Sequence, residues 1–188
     1  MRRSAAESLK GQTETLVAAA TAAAAWFRRP APSALSAART ARLRALGWRE
    51  AAVLAHRTFR GFAKTDAADV SFALREAVEH ATQAVSEAVR YGVEPDSGLL
   101  KIAEALRESA KALAAAASGR GRARAEALVL AKKWAGEAER LRRLTRADTL
   151  EDPSLTNALK REAVSTRLSN AAEAVQQACD GLAGGLVE

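Results

Sequence analysis

The sequence has one cysteine, Cys179, so no disulfide can form within the chain, and a reducing compartment is the expected setting. Aromatic residues make up only 4% of the chain, so its core cannot be filled mainly by rings. There are two histidines, His56 and His80, and no histidine–carboxylate–nucleophile arrangement can be assembled from them. Four prolines and 11 glycines stand at intervals, like punctuation between long segments. Long apolar runs are also missing. The longest, from Leu16 to Phe27, is broken by Thr21 and falls short of the roughly 20 residues a bilayer span needs. It lies too far behind Met1-Arg2-Arg3, across the polar stretch Glu7 to Thr15, to read as a signal-peptide core. The expected location is the cytoplasm.

What is present is alanine. Hydrophobic residues reach 48%, which suffices for a core and argues against wholesale disorder, and most of that share is alanine. Alanine favours helix and adds almost no bulk, so helices must pack closely, with Leu, Val and a few aromatics as fillers. The alanine–arginine bias points to a GC-rich bacterial genome.

Six helices follow from periodicity and punctuation, over about 4–27, 33–63, 66–91, 96–118, 121–147 and 153–183. Arg28-Arg29-Pro30-Ala31-Pro32 ends the first, and Ser33 is the expected N-cap of the second. Gly47 and Gly61 predict a kink or early end there. Thr65-Asp66 opens the third, Gly92 closes it, and Pro95-Asp96 starts the fourth. Asp152-Pro153 reads as a cap with proline at the first helical position of the sixth.

The predicted inward stripes are Val70, Leu74, Ala77, Val78, Ala81, Val85, Ala88 and Val89 on the third helix, and Leu99, Ile102, Ala103, Leu106, Ala110, Leu113 and Ala117 on the fourth. The fifth turns Leu128, Ala131, Trp134, Ala135, Ala138, Leu141 and Leu144 inward. The sixth turns in Leu155, Leu159, Leu168, Ala171, Ala172, Val175, Ala178, Cys179 and Leu182. No strand-like alternation competes. The expected fold is an all-α, six-helix antiparallel bundle, one domain over residues 1–188, continuous or built as two three-helix halves.

Charge is segmented. Residues 1–64 hold 12 basic and 3 acidic side chains, 65–118 hold 5 and 9, 119–147 hold 9 and 3, and 148–188 hold 3 and 7. The net charge of +7 therefore comes from the first two helices and the fifth. One reading is complementarity between neighbouring helices; the other is a basic surface for an anionic partner. The candidate contact residues are Arg39, Arg42 and Arg44 on the second helix, Arg120, Arg122 and Arg124 at the start of the fifth, and Arg140 and Arg143 near its end. Gly119-Arg120-Gly121-Arg122 lacks the Lys-Ser/Thr ending of a phosphate-cradling P-loop and follows no strand, so no cofactor is expected. Nucleic acid is the weaker partner, because no binding motif and no interleaved aromatics accompany the arginines. Trp26, Trp48 and Trp134 read as bundle fillers, although Trp26-Phe27-Arg28-Arg29, if exposed, would suit a membrane surface.

Three stretches carry a family resemblance. They are His56-Arg57-Thr58-Phe59 through Thr65-Asp66-Ala67-Ala68-Asp69; Tyr91-Gly92-Val93-Glu94-Pro95; and Trp134-Ala135-Gly136-Glu137-Ala138-Glu139-Arg140-Leu141 with Leu168-Ser169-Asn170-Ala171-Ala172-Glu173 through Cys179-Asp180. Their order resembles the PhoU-like phosphate-transport regulators, in the branch of Pit transporter accessory proteins. The resemblance implies a non-enzymatic regulator at the inner face of the membrane. Its partner would be a phosphate transporter or another protein. Independently of the resemblance, the small residues leave room for close packing as a homo-oligomer, a dimer. It also implies acidic pairs spaced four residues apart for metal. Here those positions carry Trp48 and Ala52 before His56, Ala135 before Glu139, and Ser169 before Glu173, followed by Gln176 and Gln177. No metal ligand set is expected. The alternatives are a general helical interaction protein and a basic nucleic-acid binder.

Overall fold

The computed structural model describes residues 5–56, 64–150 and 153–184, and every element among them is a helix. These are α1 (Ala5–Arg28), α2 (Pro32–His56), α3 (Lys64–Tyr91), α4 (Ser97–Ser118), α5 (Gly121–Leu150) and α6 (Leu155–Gly184). None is long and apolar enough to cross a membrane.

The helix ends follow backbone chemistry. The α3–α4 turn holds Gly92 at φ +64, a left-handed conformation that glycine adopts without steric cost. There the Val93 amide donates to the Ala88 carbonyl at 2.9 Å and the Gly92 amide to the Val89 carbonyl at 3.3 Å. Asp96 caps α4 by accepting from the Leu99 amide at 2.9 Å. Two expected caps are displaced. Proline at the first helical position starts α2 at Pro32, with the Ala31 carbonyl taking the amides of Ala34 and Leu35, so Ser33 already lies inside the helix. At α6 the cap is Ser154, whose hydroxyl accepts from the Asn157 amide at 3.3 Å; Asp152 lies outside the described residues. The helix does not end early at Gly47, and α2 runs through it to His56. Gly61 lies outside the described residues.

Four helices form a central ring, α1 beside α3, α3 beside α6, α6 beside α4 and α4 beside α1. The other two are peripheral: α2 packs on α1 and α3, and α5 on α4 and α6. The second three helices thus repeat the arrangement of the first three. Contacts near the helix ends show that α1 and α2 run antiparallel, as do α4 and α5. Gly11, early in α1, meets Trp48, late in α2, while Gly98, early in α4, meets Thr145, late in α5. One hydrophobic cluster draws on all six helices, with Leu16, Phe27, Leu74, Leu99, Ile102, Leu106, Leu113 and Leu168 among its largest buried members. Between them the spacing is set by alanine. Ala131 of α5 comes close enough for its carbonyl to accept from the buried Ser109 hydroxyl of α4 at 2.8 Å.

Some expected inward residues face solvent. Val89, Leu144, Leu155 and Leu159 are exposed, and Ala117 and Leu141 are only half-buried. The buried stripe of α6 runs Ala158, Ser165, Leu168, Ala172, Val175, Cys179 and Leu182, and Leu155 and Leu159 fall off it. Val89 follows the buried Ala88, and Leu144 precedes the buried Thr145, each one step of about 100° off its stripe.

Candidate functional site

A polar groove of about 490 Å³ lies between α5 and α6. Ala135, Gly136, Glu139, Arg142 and Arg143 line it from α5, and Thr166, Ser169, Asn170, Glu173 and Gln176 from α6. Three- and four-residue steps put each set on one helical face. Of the α5 and α6 positions singled out by sequence, the groove gathers Ala135, Glu139, Ser169, Glu173 and Gln176, while Gln177 is exposed and does not line it. On α2, Trp48 is half-buried beside Gly11; the side chains of Ala52 and His56 lie outside the described residues, as does Arg57-Thr58-Phe59.

Glu139 is the centre of the groove. It accepts from Arg142 Nε at 3.1 Å, from Arg143 Nε at 3.1 Å and from the Ser169 hydroxyl across the groove. Arg142 also donates to Glu162 of α6 at 3.1 Å, and Arg146 lies 3.8 Å from the same carboxylate. Hydrogen bonding to Arg142 pulls the Glu139 carboxyl down to about 2, with Ser169 and Arg143 assisting and burial opposing. A carboxylate so saturated is a poor proton acceptor at neutral pH. It is also a poor ligand for a hard cation, which wants several free oxygens converging. The groove has one other acid, the exposed Glu173, and no group of three His, Cys, Asp or Glu side chains able to hold a metal ion occurs among the described residues. The donor set does not fit the metal cluster that the family resemblance implies.

The arginines expected to make a basic face are distributed instead. Arg42 donates to Glu79 of α3 through Nε at 3.0 Å and Nη2 at 2.6 Å. Arg122 pairs with Glu126, Arg140 with Glu137 and Arg143 with Glu139. Arg124 donates to the Leu182 carbonyl at 3.1 Å, which satisfies the end of α6 rather than an incoming anion. Arg39, Arg44 and Arg120 are exposed. Part of the segmented charge is neutralised within α5 and part between helices, as Arg28 with Glu104, Lys132 with Asp180 and Arg142 with Glu162 show. The surface expected at Trp26-Phe27-Arg28-Arg29 is not presented, because Phe27 is buried, Trp26 packs on the core and Arg28 is engaged by Glu104.

A second cavity of about 500 Å³ sits where the α3–α4 turn meets the start of α6. Its Asp96 is spent on the α4 cap and on Arg161, whose Nη2 donates to it at 2.7 Å. Cys179 is buried, and burial pushes its thiol up to about 12, so it is an inert core residue. The groove could not have been found by counting acids, since its polarity depends on Ser169 and Arg142 as much as on Glu139. No protein-family model and no curated protein matches the chain.

Proposed function

We propose that the chain is a non-enzymatic accessory or regulatory protein of inorganic phosphate transport, acting by contact with a membrane transporter. The observation that supports this reading is the convergence, in the α5–α6 groove, of the positions carrying the PhoU-like resemblance. In this chain the groove is a charge-balanced polar cleft, with Glu139 and Glu173 against Arg142 and Arg143. That chemistry suits recognition of a polar segment of a partner, not bond-breaking. Deleting the gene in its host and measuring phosphate uptake tests the reading. Uptake should change, return with the intact gene and fail to return with Arg142→Glu, and cross-linking should recover a phosphate permease. Unchanged uptake with no permease recovered would overturn it.

A further inference from the structure

The two peripheral helices occupy equivalent places, yet their charges are treated differently. On α5, six cations meet carboxylates: Arg122, Lys132, Arg140, Arg142, Arg143 and Arg146. On α2, Pro32 to Trp48 contains three arginines and no acid, and only Arg42 is paired, with Glu79 of α3. Arg39 and Arg44 are exposed and form no ion pair with any described residue.

The apolar side chains of the same face are exposed too. Leu43 is 69% exposed and Leu46 50%, and with Arg39 they fall at steps of four and three, on one side of α2. The Arg42–Glu79 pair fixes the register of α2 against α3. α2 and α3 pack together and are joined by a short connection, which makes them antiparallel neighbours, so Leu46 comes level with Arg75, and Phe72 lies about one turn further along. Phe72 is 53% exposed, with the Arg75 guanidinium 5.3 Å from its ring centroid. Two leucines and a phenylalanine thus lie beside Arg39, Arg44 and Arg75, which form no ion pair with any described residue.

We propose that this α2–α3 face binds in the plane of an anionic phospholipid surface. Leu43, Leu46 and Phe72 enter the headgroup–acyl boundary, and Arg39, Arg44 and Arg75 contact the phosphates. Interfacial binding grows with buried apolar area and with attraction to anionic lipid, and this face supplies both. The arginine stems reach along the apolar surface while their heads stay at the phosphates. The inference is independent of the phosphate-transport reading, since it needs neither a transporter nor inorganic phosphate.

The test is co-sedimentation of the full chain with phosphatidylcholine vesicles, with and without phosphatidylglycerol. Binding should require phosphatidylglycerol and weaken in high salt. Replacing both Arg39 and Arg44 by glutamine should weaken it about 30-fold, from the usual contribution of each juxtamembrane cation. Leu43→Ser with Leu46→Ser should weaken it with the charge unchanged. The same paired change at the exposed Val129 and Leu130 of α5 should not, and circular dichroism confirms that each variant is folded. The proposal fails if anionic vesicles do not bind, if neutral vesicles bind equally, or if the α5 control loses as much. It also fails if duplex DNA is retained through Arg39 and Arg44 while vesicles are not.

Discussion

Ser169 of α6 donates its hydroxyl to Glu139 of α5, on a carboxylate that Arg142 and Arg143 already hold. This contact ties the two helices across the groove by a charge-assisted hydrogen bond. The Glu139 carboxyl is held near 2 in the fold against an ordinary 4.5. The folded chain therefore gives up this proton more readily than the unfolded chain. Its stabilisation is complete above about pH 4.5 and disappears as the pH falls towards 2. Allowing for solvent screening of a partly exposed pair, Glu139→Gln should cost about 1–2 kcal/mol at neutral pH. Denaturant unfolding should show the gap from wild type closing in acid. A gap that persists undiminished at low pH would mean that the contact acts through shape, not charge.

The same substitution at two helical glycines should have opposite signs. A methyl on Gly47 meets nothing, so Gly47→Ala should stabilise by about 0.5–1 kcal/mol through helix propensity. A methyl on Gly11 runs into the ring of Trp48, so Gly11→Ala should destabilise by about 1–3 kcal/mol. Adding Trp48→Ala should turn the Gly11→Ala effect favourable. Thermal unfolding of the four variants checks this, and a stabilising Gly11→Ala on the wild-type background would show that Trp48 does not pack where the structure places it.

Fold class was legible because alanine periodicity and glycine–proline punctuation are local signals, and Asp96 and Gly92 act where the sequence put them. Less legible was which of two adjacent apolar residues turns inward. Ala88 is buried and Val89 is not, although valine is the more apolar, because the face that α3 turns to its neighbours is set by the packing of the whole helix and not by one side chain. The groove was half legible. Ala135, Glu139, Ser169 and Glu173 stand out as positions, but Glu139 and Ser169 are 30 residues apart in sequence and Arg42 and Glu79 are 37 apart. No local pattern encodes such partners. The basic and acidic segments were visible, while their mutual neutralisation needed the helix order around the ring.

Cys179 should behave as a core residue. Its thiol is buried and pushed up to about 12, chiefly by desolvation, with Asp180 adding to that and Lys132 opposing it. Iodoacetamide at mildly alkaline pH should leave the folded protein unmodified and label the urea-unfolded protein fully. Rapid labelling of the folded chain would show that α6 opens around this residue. Cys179→Ser should place a hydroxyl in the same apolar site and cost about 1–3 kcal/mol.

His80 sits on α3 with its Nδ1 buried and without a hydrogen-bond partner, and its pKa lies below the ordinary 6.5. Burial is the larger cause and Arg167 of α6 the next, while Glu76, Glu79 and Glu87 push the other way. Below about pH 6.5 the unfolded chain takes a proton that the folded chain resists, so His80 lowers stability as the medium acidifies and has no effect above that range. Arg167 also pairs with Glu87 at 3.0 Å. Arg167→Gln therefore removes a repelling cation and frees an attracting anion, and both changes raise the His80 midpoint. Glu76→Gln removes an attracting anion and lowers it. The ring-proton chemical shifts of His80 through a pH titration report both variants. Midpoints that move together, or not at all, would mean that burial alone governs this histidine and that the charges of α6 do not reach it.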